Sequence, residues 1–333
     1  VPAQVTGADW LPEDRAGRRG SVARLAGQDR KVHIDMRGRT WRLLLLLAAV
    51  AMLASMAVPA SAGGNGTPEV RFATFNASLN RFNAGDLAAE LSAPGSPQPD
   101  VIAEIIQRTR PDVLLINEFD YDAGGVAAAG FQTNYLSVPH NGAEPIEYGY
   151  RCAVPSNTGI PSGRDLDKDG NVGGPGDAFG FGFFPGQFAF VVYSMYEMDC
   201  ESIRTFQLFL WKDMPNAMLP VNPDGTSFYD GGDLEIFRLS SKNHADVPIM
   251  IGNKVVHFLV SHPTPPVFDG PEDRNGTRNS DEIRFWADYV GPGASKGAYI
   301  YDDEGNYGGL KPGSLFVIAG DQNADPFDGD SVP

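Results

Sequence analysis

Residues 314–326 read SLFVIAGDQNADP, and this stretch decides how the chain folds. Leu315, Phe316, Val317, Ile318 and Ala319 form an apolar run of strand length, which passes directly into Gly320, Asp321, Gln322 and Asn323. A buried polar group is costly unless it is partnered, so a core strand ending in an acid and an amide points to a ligand at that end. Three earlier runs end alike: FATFN at Asn76, VLLINE at Glu118 and FLVSH at His262. If these strands lie side by side, their ends meet at one rim.

The segments between them supply the other layers. In EVRFATFN, Val70, Phe72, Thr74 and Asn76 alternate with Phe75, the period of a strand. In PDVIAEIIQRTRPDVLLINE, Val101, Ile102, Ile105 and Ile106 share one helical face. Asp100 is the expected cap, and Pro111 ends the helix before the apolar strand from Val113. Residues 141–186 are dense in Gly, Pro, Asn and Ser and read as a long insertion, after which GQFAFVVYSMYEMD resumes as strand. SDEIRFWADYV reads as a helix capped by Ser280. Strands alternating with helices imply an α/β layered domain, and wholly apolar strands imply a sheet covered on both faces.

Composition bounds the function. Hydrophobic residues make up 42% of the chain, enough for a sizeable core. Residues 1–62 hold nine Lys/Arg and five Asp/Glu, so the rest keeps 17 basic against 37 acidic residues, a net charge of −20. That field repels a phosphate backbone unless cations bridge or a basic patch intervenes. HExxH, P-loop, GxSxG and Cys–His zinc spacings are all absent, which argues against zinc peptidases, nucleoside triphosphatases and serine hydrolases. Met36, followed by Arg37, Arg39 and Arg42, an apolar run from Leu43 and the Ala60-Ser61-Ala62 site, has the layout of a secretory signal peptide over 36–62. Residues 1–35 then read as upstream over-read or a disordered extension. The expected protein is secreted and free of the membrane once the signal is cut; an uncut signal would leave it surface-anchored. Export favours a Cys152–Cys200 disulfide over two buried thiols.

The ordered set TFN, INEFD, VVYSMYEMD, SHPTPP and GDQNADP resembles the endonuclease/exonuclease/phosphatase superfamily, with its deoxyribonuclease I-like fold, over residues 70–333. The resemblance implies a four-layer α/β sandwich with two central mixed β-sheets and divalent-metal hydrolysis of a phosphoester. It places Asn76 and Glu118 at a Mg²⁺ or Mn²⁺ site, His262 on the phosphate, and Asp321 and Asn323 at water activation and transition-state stabilisation. The bond cut is a phosphodiester or phosphomonoester; a nuclease acting on DNA or RNA is the alternative, and the net charge of −20 leans towards small or cation-bridged substrates. No obligate protein partner is evident. Such enzymes close with a further strand pair and an Asp–His dyad. The five histidines are His33, His140, His244, His257 and His262, none after Asp321, so the domain, 63–333, reads as incomplete at its C-terminus. A catalytically dead, calcium-stabilised binding module is the non-enzyme alternative.

Two smaller motifs remain. DLDKDGNVGG spaces Asp165, Asp167 and Asp169 like the front of a calcium loop, with Asn171 and Asp177 as further donors. It can equally be a solvated acidic turn. Arg274 and Arg278 are candidate phosphate contacts, because guanidinium forks match phosphate oxygens.

Overall fold

A computed structural model of the chain describes residues 69–292 and 295–332. The signal peptide expected over 36–62 and the segment before it lie outside the described residues.

The strands are β1 (Phe72–Leu79), β2 (Val113–Phe119), β3 (Tyr150–Ala153), β4 (Phe190–Ser194), β5 (Glu197–Met198), β6 (Arg204–Thr205), β7 (His244–Ile251), β8 (Lys254–Ser261) and β9 (Leu315–Gly320). The helices are α1 (Asp86–Leu91), α2 (Pro97–Thr109), α3 (Val126–Phe131), α4 (Gly231–Leu234) and α5 (Arg274–Tyr289). One sheet runs β1-β2-β4-β3 and the other β5-β7-β8-β9, with β6 also on β7. Each is mixed: β1 and β2 are parallel in the first, β8 and β9 in the second, and the remaining pairs are antiparallel.

Three apolar clusters define the layers. Val113, Leu115, Phe190 and Val192 of the first sheet pack on Val247, Ile249, Phe258 and Val260 of the second. The opposite face of the first sheet, with Leu114, Ile116 and Tyr193, meets Leu87, Ile102, Ile106 and Phe131 from α1, α2 and α3. Leu259, on the outer face of the second sheet, meets Phe285, Trp286 and Tyr289 of α5. The order helix, sheet, sheet, helix is the four-layer α/β sandwich that the family resemblance implies. Cys152 on β3 is bonded to Cys200, just past β5, which ties one sheet to the other.

Several local expectations need correction. Helix α2 begins at Pro97 with Ser96 as its N-cap, so Asp100 lies in the first turn; proline is preorganised for a first helical position. Its buried face is Ile102, Ala103 and Ile106, while Val101 and Ile105 face solvent. Helix α5 starts at Arg274 after Asp273, and Ser280 sits inside it. Strand β9 is covered on one side only. Val317 and Ala319 pack between the sheets, while Phe316 and Ile318 on the other face, and Leu315 at the strand start, are exposed; among the described residues β9 is an edge strand paired with β8 alone. The insertion 141–186 also contributes a strand, β3.

Candidate active site

Strand pairing brings the polar ends together. In the parallel pair β1/β2, Asn76 stands opposite Asn117, so Glu118 follows at the same end of the sheet. In the parallel pair β8/β9, Ser261 stands opposite Gly320, so His262 and Asp321 emerge side by side. Gly320 has no alternative: a Cβ there would lie 2.0 Å from the Ser261 carbonyl oxygen. Strand β7 is antiparallel to β8, with His244 opposite Ser261, so the start of β7 reaches the same rim and delivers Lys242.

The contacts join these ends across the two sheets. Asn76 Nδ2 donates to Glu118 Oε1 at 3.0 Å and to Asp321 Oδ2 at 2.9 Å. Its Oδ1 accepts from the Ser78 N–H, so the amide nitrogen, not the oxygen, faces the carboxylates. Asn80 Nδ2 donates to the second oxygen, Glu118 Oε2, at 2.9 Å. His262 Nε2 is 3.8 Å from Asp321 Oδ2. The Asn323 N–H donates to Asp321 Oδ1, and its Nδ2 to the Pro263 carbonyl at 3.0 Å. Lys242 Nζ donates to that same carbonyl at 3.2 Å.

Electrostatics divide the roles. His262 is 3% exposed, and burial, reinforced by the Lys242 charge, holds its pKa well below the usual histidine value, so the ring is neutral. Its Nδ1 is buried without a partner among the described residues. Lys242 is 7% exposed, and burial lowers its pKa to about 8. Glu282 of α5 holds both neighbouring loops, accepting from the Ser241 N–H at 2.7 Å and the Thr264 N–H at 2.6 Å. Asp120, just past β2, accepts from the Arg81 and Phe188 N–H groups and fixes two more loops at this end.

All five expected residues, Asn76, Glu118, His262, Asp321 and Asn323, line one cleft of about 700 Å³. Lys242, Arg274 and Arg278 line it too. Arg274 is paired with Glu272. Arg278 is buried and donates to the carbonyls of Leu239, Phe179 and Arg238, so it braces the wall. Glu118 and Asp321 face no Lys or Arg within ion-pair distance among the described residues. Two hard oxygen donors linked by one amide, with their charge unpaired, fit a divalent cation. Four cleft residues, Glu118, Phe188, Phe268 and Asn323, have φ between 50° and 67°. That left-handed backbone is rare outside glycine and is held only where the surroundings enforce it.

Ligand atoms of Asp165, Asp167 and Asp177 lie within 4.8 Å of one another. Among the described residues, the Asp169 carboxylate is not part of that group. The Asp169 carboxylate instead accepts from the Asn171 N–H at 2.7 Å, an exposed turn. Gly173 and Gly174, at φ 122° and 92°, reverse the chain and return Asp177 to the other two.

Residues 73–333 match the sequence profile of the Endonuclease/Exonuclease/phosphatase family. The chain belongs to this family. Its members are metal-dependent phosphoester hydrolases. No curated protein matches the sequence. Among solved structures, the chain is similar to an endonuclease/exonuclease/phosphatase from Beutenbergia cavernae DSM 12333, at 16% identity and TM-score 0.38, over 79% of this chain and 50% of that one. It is similar to TDP2 from Caenorhabditis elegans at 15% identity and TM-score 0.37, over 88% and 61% of the two chains. It is also similar to sphingomyelinase C from Streptomyces griseocarneus at 17% identity and TM-score 0.39, over 79% and 68%. The chain thus spans half the length of the first of these and less than two thirds of the second.

Lys242, Asn80 and the aromatic residues of the cleft escaped the sequence reading. Lys242 precedes its strand and does not follow it, so a search of strand C-termini passes over it. The antiparallel step from β7 to β8 is the signal that would have found it.

Proposed function

We propose that the protein is a secreted, divalent-metal-dependent phosphoesterase acting on small phosphodiesters or phosphomonoesters. The observation that carries this reading is the bridge from Glu118 through Asn76 to Asp321, with neutral His262 alongside. Secretion rests on the signal-like sequence over 36–62.

Glu118, with Asp321 beside it, would hold the ion, and Asn76 and Asn80 fix the carboxylate orientation. Bound Mg²⁺ or Mn²⁺ supplies Lewis-acid neutralisation of the phosphate oxygens. Asp321 accepts two hydrogen bonds, from Asn76 and Asn323, and is oriented to take the proton of an attacking water. Neutral His262 keeps one ring N–H, which it would donate to a phosphate oxygen. Lys242 lines the same cleft and is mostly protonated at pH 7, and Asn323 stabilises the equatorial oxygens. The net charge of −20 beyond residue 62 favours substrates with one or two phosphates over long nucleic acids. Asp165, Asp167 and Asp177 would take a structural Ca²⁺ apart from this chemistry.

The test is hydrolysis of bis-p-nitrophenyl phosphate by the wild type, Asp321→Asn and Glu118→Gln. Each variant is expected to lose on the order of a hundredfold or more in kcat/KM, with an unchanged melting temperature. Either one retaining the wild-type rate would refute the assignment.

A further inference from the structure

The cleft has two characters. Its floor is polar, built from Asn76, Glu118, Lys242, His262, Asp321 and Asn323. Its remaining lining includes Phe181, Phe188, Tyr229, Phe237 and Phe268. Tyr229 and Phe237 are buried and packed against each other, with ring centroids 4.8 Å apart. Phe181 and Phe268 are not: they are 59% and 87% exposed. Phe181 also meets the equally exposed Phe183 edge-on at 5.6 Å. Large apolar rings left in water beside a polar centre call for an apolar group to cover them.

The backbone adds an independent observation. Phe188 and Phe268 sit at φ 57° and 67°, a conformation unfavourable for bulky residues. Folding does not need Phe268 there, since its ring is almost wholly solvated. Strain held at a solvated ring beside a reactive centre is a property of recognition sites. Rings prefer offset or edge-to-face contact with other rings, and a planar partner loses little conformational freedom on binding, unlike a flexible alkyl chain. A cleft of about 700 Å³ has room for a phosphate and one nucleoside-sized group.

We propose that the cleft takes a small phosphoester bearing one aromatic or heteroaromatic group, with the phosphate on the polar floor and the ring against the phenylalanine wall. This rests on the phosphoesterase reading of the floor.

Binding can be measured without turnover. Calorimetry with methylphosphonate, phenylphosphonate and hexylphosphonate holds the phosphorus group constant and varies the apolar group. Phenylphosphonate is expected to bind about tenfold more tightly than methylphosphonate, at the lower end of what ring stacking contributes. It should also exceed hexylphosphonate. The double substitution Phe181→Ala with Phe268→Ala removes only exposed rings and should abolish the preference without changing the melting temperature. Equal binding of phenyl and methyl ligands, a preference for the hexyl chain, failure of all three to bind, or a ring preference that survives the double substitution would overturn the inference. Hydrolysis of methyl p-nitrophenyl phosphate, run in parallel, separates the two claims. Ring-selective binding with no hydrolysis overturns the activity and leaves the aromatic subsite standing; hydrolysis without ring selectivity does the reverse.

Discussion

Replacing Lys242 by Met is expected to stabilise the protein while weakening its hold on phosphate. The ammonium group is buried, and among the described residues its one hydrogen bond goes to the Pro263 carbonyl. Burial moves its pKa from 10.5 to about 8. At roughly 1.4 kcal/mol per pKa unit, holding the charge inside disfavours the folded state by about 3 kcal/mol. Met has a similar unbranched chain and forfeits one hydrogen bond, worth about 1 kcal/mol. Glu282, whose charge opposes that of Lys242, keeps its bonds to the Ser241 and Thr264 N–H groups. The net gain expected at pH 7 is therefore about 2 kcal/mol. Its pH dependence has a definite sign. The folded pKa lies below the unfolded one, so between pH 8 and 10.5 the unfolded chain binds more protons and stability rises with pH. The penalty is complete below pH 8 and fades towards 10.5, so the advantage of Lys242→Met should shrink over that window. Urea unfolding of both proteins at pH 7 and pH 10 measures this. A variant less stable than the wild type at pH 7, or a gap independent of pH, would refute the reasoning. Inorganic phosphate binding should fall tenfold or more in the same variant. An unchanged affinity would place the charge out of the phosphate's reach.

Reducing the Cys152–Cys200 bridge, or replacing Cys200 by Ser, should lower stability by about 4 kcal/mol, since it closes a loop with a sequence separation of 48; denaturant unfolding with and without reductant measures it. Millimolar Ca²⁺ should raise the melting temperature of the wild type and of Asp169→Ala but not of Asp167→Ala, because Asp167 belongs to the carboxylate cluster and Asp169 does not. A shift that survives Asp167→Ala would move the calcium to another site.

Much of this arrangement was legible in the sequence because it follows from strand length and polarity. Asn76, Glu118, His262, Asp321 and Asn323 each follow a run of strand-forming residues, and parallel pairing leaves such ends on one rim. The alternation of Val70, Phe72, Thr74 and Asn76 likewise read as strand, and Val70 and Phe72 of that face pack between the sheets. What was not legible depends on pairing between segments distant in the chain. Lys242 reaches the rim only because β7 runs antiparallel to β8. Phe181, Phe188 and Phe268 come from loops whose apolar rings carry no periodic signal. Asp165, Asp167, Asp169, Asn171 and Asp177 all read as calcium donors from their spacing, but which carboxylates converge, Asp165, Asp167 and Asp177, depends on how the loop turns back. The buried face of α2 shifted from Val101 and Ile105 to Ile102, Ala103 and Ile106, because the α2 side of the first sheet, with Leu114 and Ile116, decides which residues it covers.

The central claim is that two carboxylates joined through Asn76 form a divalent-metal phosphoesterase site. The most direct measurement is the rate of bis-p-nitrophenyl phosphate hydrolysis after exhaustive chelation with EDTA and after adding back Mg²⁺ or Mn²⁺. The account predicts loss of the rate on chelation and its return with either ion in the wild type, but not in Glu118→Gln. A full rate in the chelated protein would contradict it.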